Sequence, residues 1–442
     1  MTKIKSKKSK MEETFNEKKL PEEIIKLIRK KVKNIHIDFF EEILEEILKL
    51  NPEILKQELR DIIIYNPDGT INSLNLSNFE DRLSILPNNI KNLTVTHHLN
   101  LSNNGFTKLP TDFYKIKVGG NLDLSNNQFF DELPENFHLI KVGGDINLSL
   151  AILENFPEMF GNIVVKGSLN LSRNHFSSLP ESFEKITIGG SLNLSQNNFS
   201  SLPESFEKIT IGGSLNLSGN NLKSLPESFI KLKIEGDLDL SLNKFETLPE
   251  KIGNIVIGCS LNLSRNRIKL LPESFGRLKV GCDINLEHNR LKSLPCNFSR
   301  LKVGCHLDLS YNQISELPPN FGSLKIGCDL DLSYNQLRSL PSSFGHLKIG
   351  QNLILSNNRI TALEGNFGNI KVGGHINLYN NEIISFSKSF LNLSNVGKEI
   401  FFDDEILDIL PQIIKDKISS KNIDNIINDD YESSDYESSD DE

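Results

Sequence analysis

One motif returns every 23 residues through most of this chain, and it limits the possible folds more than any other feature. It reads Leu99-Asn-Leu-Ser-Asn-Asn104, then Leu122-Asp-Leu-Ser-Asn-Asn127, and so on to Ile376-Asn-Leu-Tyr-Asn-Asn381. Self-similarity at a fixed period of about 20–50 residues marks a stack of supersecondary units. Each unit in such a stack touches mainly its neighbours, so the expected product is an elongated binding scaffold.

The unit starting at Leu122 shows why. Leu122 and Leu124 alternate with Asp123 and Ser125, so a short strand presents its leucines on one face. Leu133-Pro134, Phe137, Ile140 and Val142 follow, and Gly143-Gly144 leads into the next strand. All these apolar side chains must be covered, and one unit has nothing to cover them with except the units beside it. The back of the unit has a period of two, as in Ile116-Lys-Val118, which predicts extended chain there. The second place of the Gly-Gly pair also holds Cys259, Cys282, Cys305, Cys328 and Gln351, and its first place holds Lys166 and Glu235. Neither place therefore demands positive φ, and close approach of neighbouring coils is the expected reason for glycine.

These residues resemble the leucine-rich repeat, LxLxxN followed by LPxxF. The resemblance implies an α/β repeat solenoid, a right-handed horseshoe with a concave parallel β-sheet and helical caps at both ends. It also implies a structural ladder of Asn104, Asn127, Asn174, Asn197, Asn220, Asn243, Asn266, Asn289, Asn312, Asn335, Asn358 and Asn381, each bonding backbone groups left unpaired by the turning chain. Ala151 breaks the ladder in the third copy. The Ile-Lys-Val-Gly-Gly variant is similar to intracellular repeat arrays of giant DNA viruses, some of them joined to F-box-like segments.

The flanks differ in character. Residues 1–19 form a basic arm expected to be disordered, and 20–73 a helical N-terminal cap. Within that cap, Ile43, Leu44, Ile47 and Leu48 share one helical stripe. Asn51-Pro52 reads as the start of a further helix reaching about Ile64. Leu20-Pro-Glu-Glu-Ile-Ile25 resembles the opening of an F-box, which docks to a ubiquitin-ligase adaptor, although the later Trp and Cys positions of that module are missing. A capping helix explains the same residues. The repeats span 74–398, a helical C-terminal cap is expected over 399–428, and 429–442 is an acidic tail. That tail holds eight of the acids behind the chain's net charge of -9, so the body is close to neutral. Its Ser434, Ser438 and Ser439 each precede an acid by three residues and suit an acidophilic kinase.

Several function classes drop away. A near-neutral body is a poor general phosphate binder, so nucleic acid is not the expected partner. No apolar run is long enough to span a bilayer, and no apolar region follows the basic N-terminus to make a secretory signal. Asn-Leu-Ser sequons such as Asn100-Leu-Ser102 lie in the strands, where glycans would crowd the face. The reading is intracellular, cytoplasmic (host cytoplasm if viral), with reduced cysteines. No Walker A, HExxH, GxSxG or paired CxxC motif occurs, so no catalytic residues are assigned and no cofactor is expected.

The strand face is the expected binding surface for a partner protein. Its early part repeats Asn, Ser and Gly. Between Asp283 and Tyr334 it changes: Asp283, His306 and Asp329 share a column, Asp308 and Asp331 the next, with Glu287, His288, Tyr311 and Tyr334 just beyond. Aromatics beside carboxylates suit a basic partner segment. Cys259, Cys282, Cys305 and Cys328 stack in one column, read as small buried packing with no metal. Lys279, Lys302, Lys325, Lys348 and Lys371 form a back column read as a solvated rim.

Overall fold

The computed structural model describes residues 40–55, 58, 63–128, 133–393, 395–406 and 410. They divide into two compact units, the first up to Ile284 and the second from Asn285 onward.

In the first unit, a helix over 40–50 buries Phe40, Ile43, Leu44 and Ile47. The chain then departs from the expected helix to Ile64 at both ends, with residues 52–54 in turn and bend conformation and a strand from Ile63, while residue 58 between them is helical. Ile63–Tyr65 is a strand, antiparallel to Ile71–Asn75. Asn51 does not open a helix either. Its side-chain amide donates to the carbonyls of Ile47 and Ile85 at 2.8 and 2.9 Å. Its Oδ1 accepts the N–H groups of Ser84 and Ile85 at 3.0 and 3.1 Å. This side chain therefore ties the end of the first helix to the first coil. Over its described residues the N-terminal cap is part helix and part hairpin rather than wholly helical.

From Ile71–Asn75 the strands run parallel and in register: Leu99–Asn100, Leu122–Asp123, Ile146–Asn147, Leu169–Asn170, Leu192–Asn193, Leu215–Asn216 and Leu238–Asp239. Leu261–Asn262 continues the series. The back of each coil is extended as its period of two predicts, in two-residue strands such as Lys117–Val118 and Thr187–Ile188. Between the two, a turn of 3-10 helix sets a phenylalanine inward. Phe183, Phe206 and Phe229 stack with centroids 6.3 and 6.0 Å apart. This continuous interior is what no single coil could make alone.

The second unit repeats the pattern. Leu307–Asp308, Leu330–Asp331, Leu353–Ile354 and Ile376–Asn377 pair in parallel, followed by Ile400–Phe401. Phe298, Phe321, Phe344, Phe367 and Phe390 form its spine, with centroids 6.0–6.2 Å apart. The expected C-terminal helical cap begins instead with that last strand and a short 3-10 turn, Asp404–Ile406. Strand edges are cheap to extend by one more in-register segment, and Ile400 and Phe401 are buried by doing so.

The first glycine of each Gly-Gly pair sits where coils touch. A Cβ at Gly350 would lie 1.7 Å from the Gly327 carbonyl oxygen, so only hydrogen fits. Among the described residues, the three glycines with positive φ are Gly69, Gly219 and Gly365, none of them in such a pair.

Candidate functional site

Three positions of each coil shape the strand face. The first is the polar residue of the strand, Asn or Asp. Its side-chain oxygen accepts the N–H two residues on, as Asn193 does from Ser195 at 3.0 Å and Asp308 from Ser310 at 2.8 Å. The next is the residue before the ladder asparagine. It takes left-handed backbone in every regular coil, from Asn103 at φ 55° to Tyr334 at φ 50°. Such a conformation costs an ordinary L residue about 1–2 kcal/mol and turns the chain from the strand toward the interior. The third is the ladder asparagine itself. Asn243 donates from Nδ2 to the carbonyls of Leu217 and Leu240 at 2.9 and 3.2 Å, and its Oδ1 accepts the Leu222 N–H at 3.1 Å.

The same arrangement serves Asn104, Asn174, Asn197, Asn220, Asn266, Asn312, Asn335 and Asn358, all buried. Asn381 bonds alike at a half-buried position. Asn127 and Asn289 donate to the carbonyls of Leu124 and Leu286. At Ala151 the missing carboxamide is partly covered by Asn174, whose Oδ1 accepts both the Ala151 and Leu153 N–H groups at 3.0 Å.

The left-handed position is the one that points outward; its His288, Tyr311 and Tyr334 were expected contacts, but its backbone conformation was not foreseen. In the first unit it holds Asn103, Asn126, Leu150, Arg173, Gln196, Gly219, Leu242 and Arg265; in the second, His288, Tyr311, Tyr334, Asn357 and Asn380. The signal was available in Gly219 and the repeated Asn-Asn pairs, since glycine and asparagine tolerate this conformation best. A tyrosine at such a position is a departure from the local preference of the backbone.

The structure brings eight of the nine expected contact residues together in the second unit. His288 stacks on Tyr311 with centroids 4.2 Å apart, and Tyr311 on Tyr334 at 4.1 Å, the planes within 15° and 9°. Both tyrosines are exposed, at 40% and 46%. Glu287 Oε1 lies 3.2 Å from His288 Nε2. Asp308 and Asp331 are half-buried side by side on paired strands. Burial raises the Asp308 carboxyl above its usual range. It pushes Asp331 up to about 7, with help from the charge of Asp308. Burial, then the bond to the Tyr334 hydroxyl, pushes Tyr311 up to about 12. His306 and Asp329 do meet, with Nδ1 3.0 Å from Oδ2. The ninth residue, Asp283, lies in the first unit, where its N–H donates to Ser260 Oγ at 3.4 Å.

The cysteine column departs from the expectation of reduced, buried thiols. Cys305 and Cys328 form a disulfide, their Cα atoms 4.6 Å apart on adjacent coils, within the range such a bond requires. Cys259 and Cys282 are half-buried rather than core residues, and Cys296 is exposed. Hydrogen bonding to Cys282, then burial, pushes the Cys259 thiol up to about 11. The lysines of the back column are exposed. Lys325, Lys348 and Lys371 border a shallow groove floored by Ile326, Ile349 and Val372. The three tail serines and residues 20–39 lie outside the described residues.

A model of the leucine-rich repeat matches residues 96–116, 214–232, 259–278, 305–324 and 329–347. A leucine-rich-repeat protein of Leptospira interrogans is 24% identical, with a TM-score of 0.50, covering 79% of this chain and 98% of that one. The APL1 leucine-rich-repeat domain is 18% identical with a TM-score of 0.55, covering 80% of this chain and 92% of that one. No curated protein sequence matches. With the in-register strands and the repeat itself, these likenesses define the fold as a leucine-rich-repeat solenoid. Among the described residues, no helix is long and apolar enough to cross a membrane.

Proposed function

We propose that this chain is a non-enzymatic interaction scaffold that holds a basic segment of a partner protein on the strand face of its second unit. The observation that carries the reading is the stack of His288, Tyr311 and Tyr334 on exposed left-handed positions. Rigid aromatic surface at little entropic cost is what interface anchors supply. Glu287, Asp308 and Asp331 lie around it, so cationic side chains complement it. The face is a run of paired strands with exposed aromatics, which favours a peptide or protein surface over a small substrate. An intracellular setting fits the half-buried strand sequons, whose asparagines already cap the next serine.

The described part of the F-box-like segment, the helix over 40–50, uses its apolar stripe as a cap on the first coil. The alternative is a ubiquitin-ligase substrate receptor in which residues 20–60 bind the adaptor and the strand face selects the target. Pull-down with residues 1–73 deleted separates the two: loss of a ligase adaptor alone, with other partners retained, supports the receptor role. For the scaffold, proximity labelling in cells is compared between the intact chain and Asp308→Ala with Tyr311→Ala. Loss of a discrete set of neighbours is expected. An identical set from both would overturn the assignment of the face.

A further inference from the structure

Cys305, His306 and Cys328 place two sulfurs and an imidazole nitrogen within 4.8 Å of one another. All three residues are half-buried, so an ion could reach them from solvent and still be partly shielded once there. We propose that, when the Cys305–Cys328 disulfide is opened, these three residues bind one thiophilic divalent cation, zinc being the best fit.

Zinc bonds thiolate at about 2.3 Å and imidazole at about 2.0–2.1 Å, which puts tetrahedral ligands roughly 3.3–3.8 Å apart. The three groups need only small side-chain adjustments to reach that separation. Two cysteines stacked on parallel coils point the same way and would make a poor tetrahedron alone. His306 supplies the ligand from outside the column. The coils are fixed relative to each other by the pairing of Leu307 with Leu330 and by the Cys328 N–H donated to the Cys305 carbonyl at 2.9 Å.

A separate observation concerns Asp329. Its Oδ2 holds His306 Nδ1 at 3.0 Å, and its Oδ1 accepts the Asn352 N–H at 2.6 Å. A metal-binding histidine is characteristically held in this way through one nitrogen by a carboxylate, which orients the ring and raises its basicity at the other. Asp145 and Asp237 accept a neighbouring N–H as Asp329 does, but the residues stacked on them one coil earlier, Asn121 and Ser214, are not histidine. The other close thiol pair, Cys259 and Cys282, is followed by Ser260 and Asp283 and has no imidazole of its own. The histidine and its carboxylate distinguish the Cys305 site from the rest of the cysteine column.

Opening the bond is a two-electron step. Two molecules of a small thiol reductant become one disulfide, and Cys305 and Cys328 each gain a hydrogen on sulfur. Binding the cation then releases those two protons, which makes affinity rise with pH. Three protein ligands leave one position on zinc for water or for a side chain of a bound partner.

The test uses the full chain, reduced with excess thiol, desalted without air, and titrated with cobalt(II) as a spectroscopic probe before zinc displaces it. We expect a thiolate-to-cobalt charge-transfer band that saturates at one equivalent. It should be absent from the oxidised protein and from Cys305→Ser, and unchanged in a Cys259→Ser, Cys282→Ser double variant. His306→Ala and Asp329→Asn should each weaken binding by about 10–100-fold. No band in the reduced chain, a band that survives Cys305→Ser, equal affinity in His306→Ala, or a disulfide that resists the thiol would each overturn the proposal. The readout needs no partner, so it stands or falls separately from the binding face.

Discussion

The strand faces of the two units share a backbone and differ in what they display on it. Ser177–Ser195 and Ser200–Ser218 are identical in sequence, so two neighbouring coils of the first unit offer the same polar surface. In the second unit the same left-handed position carries His288, Tyr311 and Tyr334 in one stack. Beneath both faces lie the same asparagine bonds and the same phenylalanine spine. Inward positions are tied to the stack by burial. Outward ones are free to vary without disturbing it, and a scaffold can therefore acquire recognition at one stretch of coils alone.

The sharpest way to break this comparison is from the inside. Phe206 and Phe321 are buried in the spines of the first and second units. Changing either to alanine should cost about 3–5 kcal/mol in denaturant unfolding. A loss confined to one unit would show that the interiors are not equivalent. A smaller effect belongs to the ladder. Asn243→Ala in the first unit and Asn335→Ala in the second should each cost about 1–3 kcal/mol, because buried N–H and C=O groups lose their partners. Unchanged melting curves would contradict the ladder.

Proton binding separates the two faces. Asp331 has an ordinary value of 3.8 and is held near 7 in the folded protein, first by burial. The folded state thus keeps a proton that the unfolded chain gives up. Stability is fully present below about pH 4 and is lost as pH rises toward and through 7. Differential scanning calorimetry of Asp331→Asn should show this part of the slope flattened, with stability at pH 8 raised by on the order of 1–2 kcal/mol. A steeper slope in the variant would contradict the assignment. The asparagine is already tolerated at this position, as Asn193 and Asn216 show.

The repeat made most of the interior legible. Leucines alternating with polar residues dictated the strands, the period of two on the back dictated extended chain, and the mixed occupancy of the Gly-Gly pair pointed to close contact rather than unusual φ. The ends were harder to read. Ile63, Ile64 and Tyr65 suit a strand as well as a helix, and only the pairing with Ile71–Asn75 decides between them. Ile400 and Phe401 were likewise claimed by the neighbouring strand edge. At the candidate site, residue types, columns and the outward placing of Tyr311 were legible, but backbone handedness was not. The cysteine column was legible as a stack, while the Cys305–Cys328 bond was not expected and burial, which spacing does not report, was misjudged for Cys259 and Cys282.

The most direct test of the account is a titration of a fluorescent arginine-rich peptide into the intact chain and into Tyr311→Asn with Tyr334→Asn, the residue type that the first unit uses at Asn103 and Asn126. The account predicts an affinity loss of about tenfold or more with a melting temperature that does not fall. Equal affinity for the two proteins, or a variant that binds weakly only because it has lost stability, would contradict it.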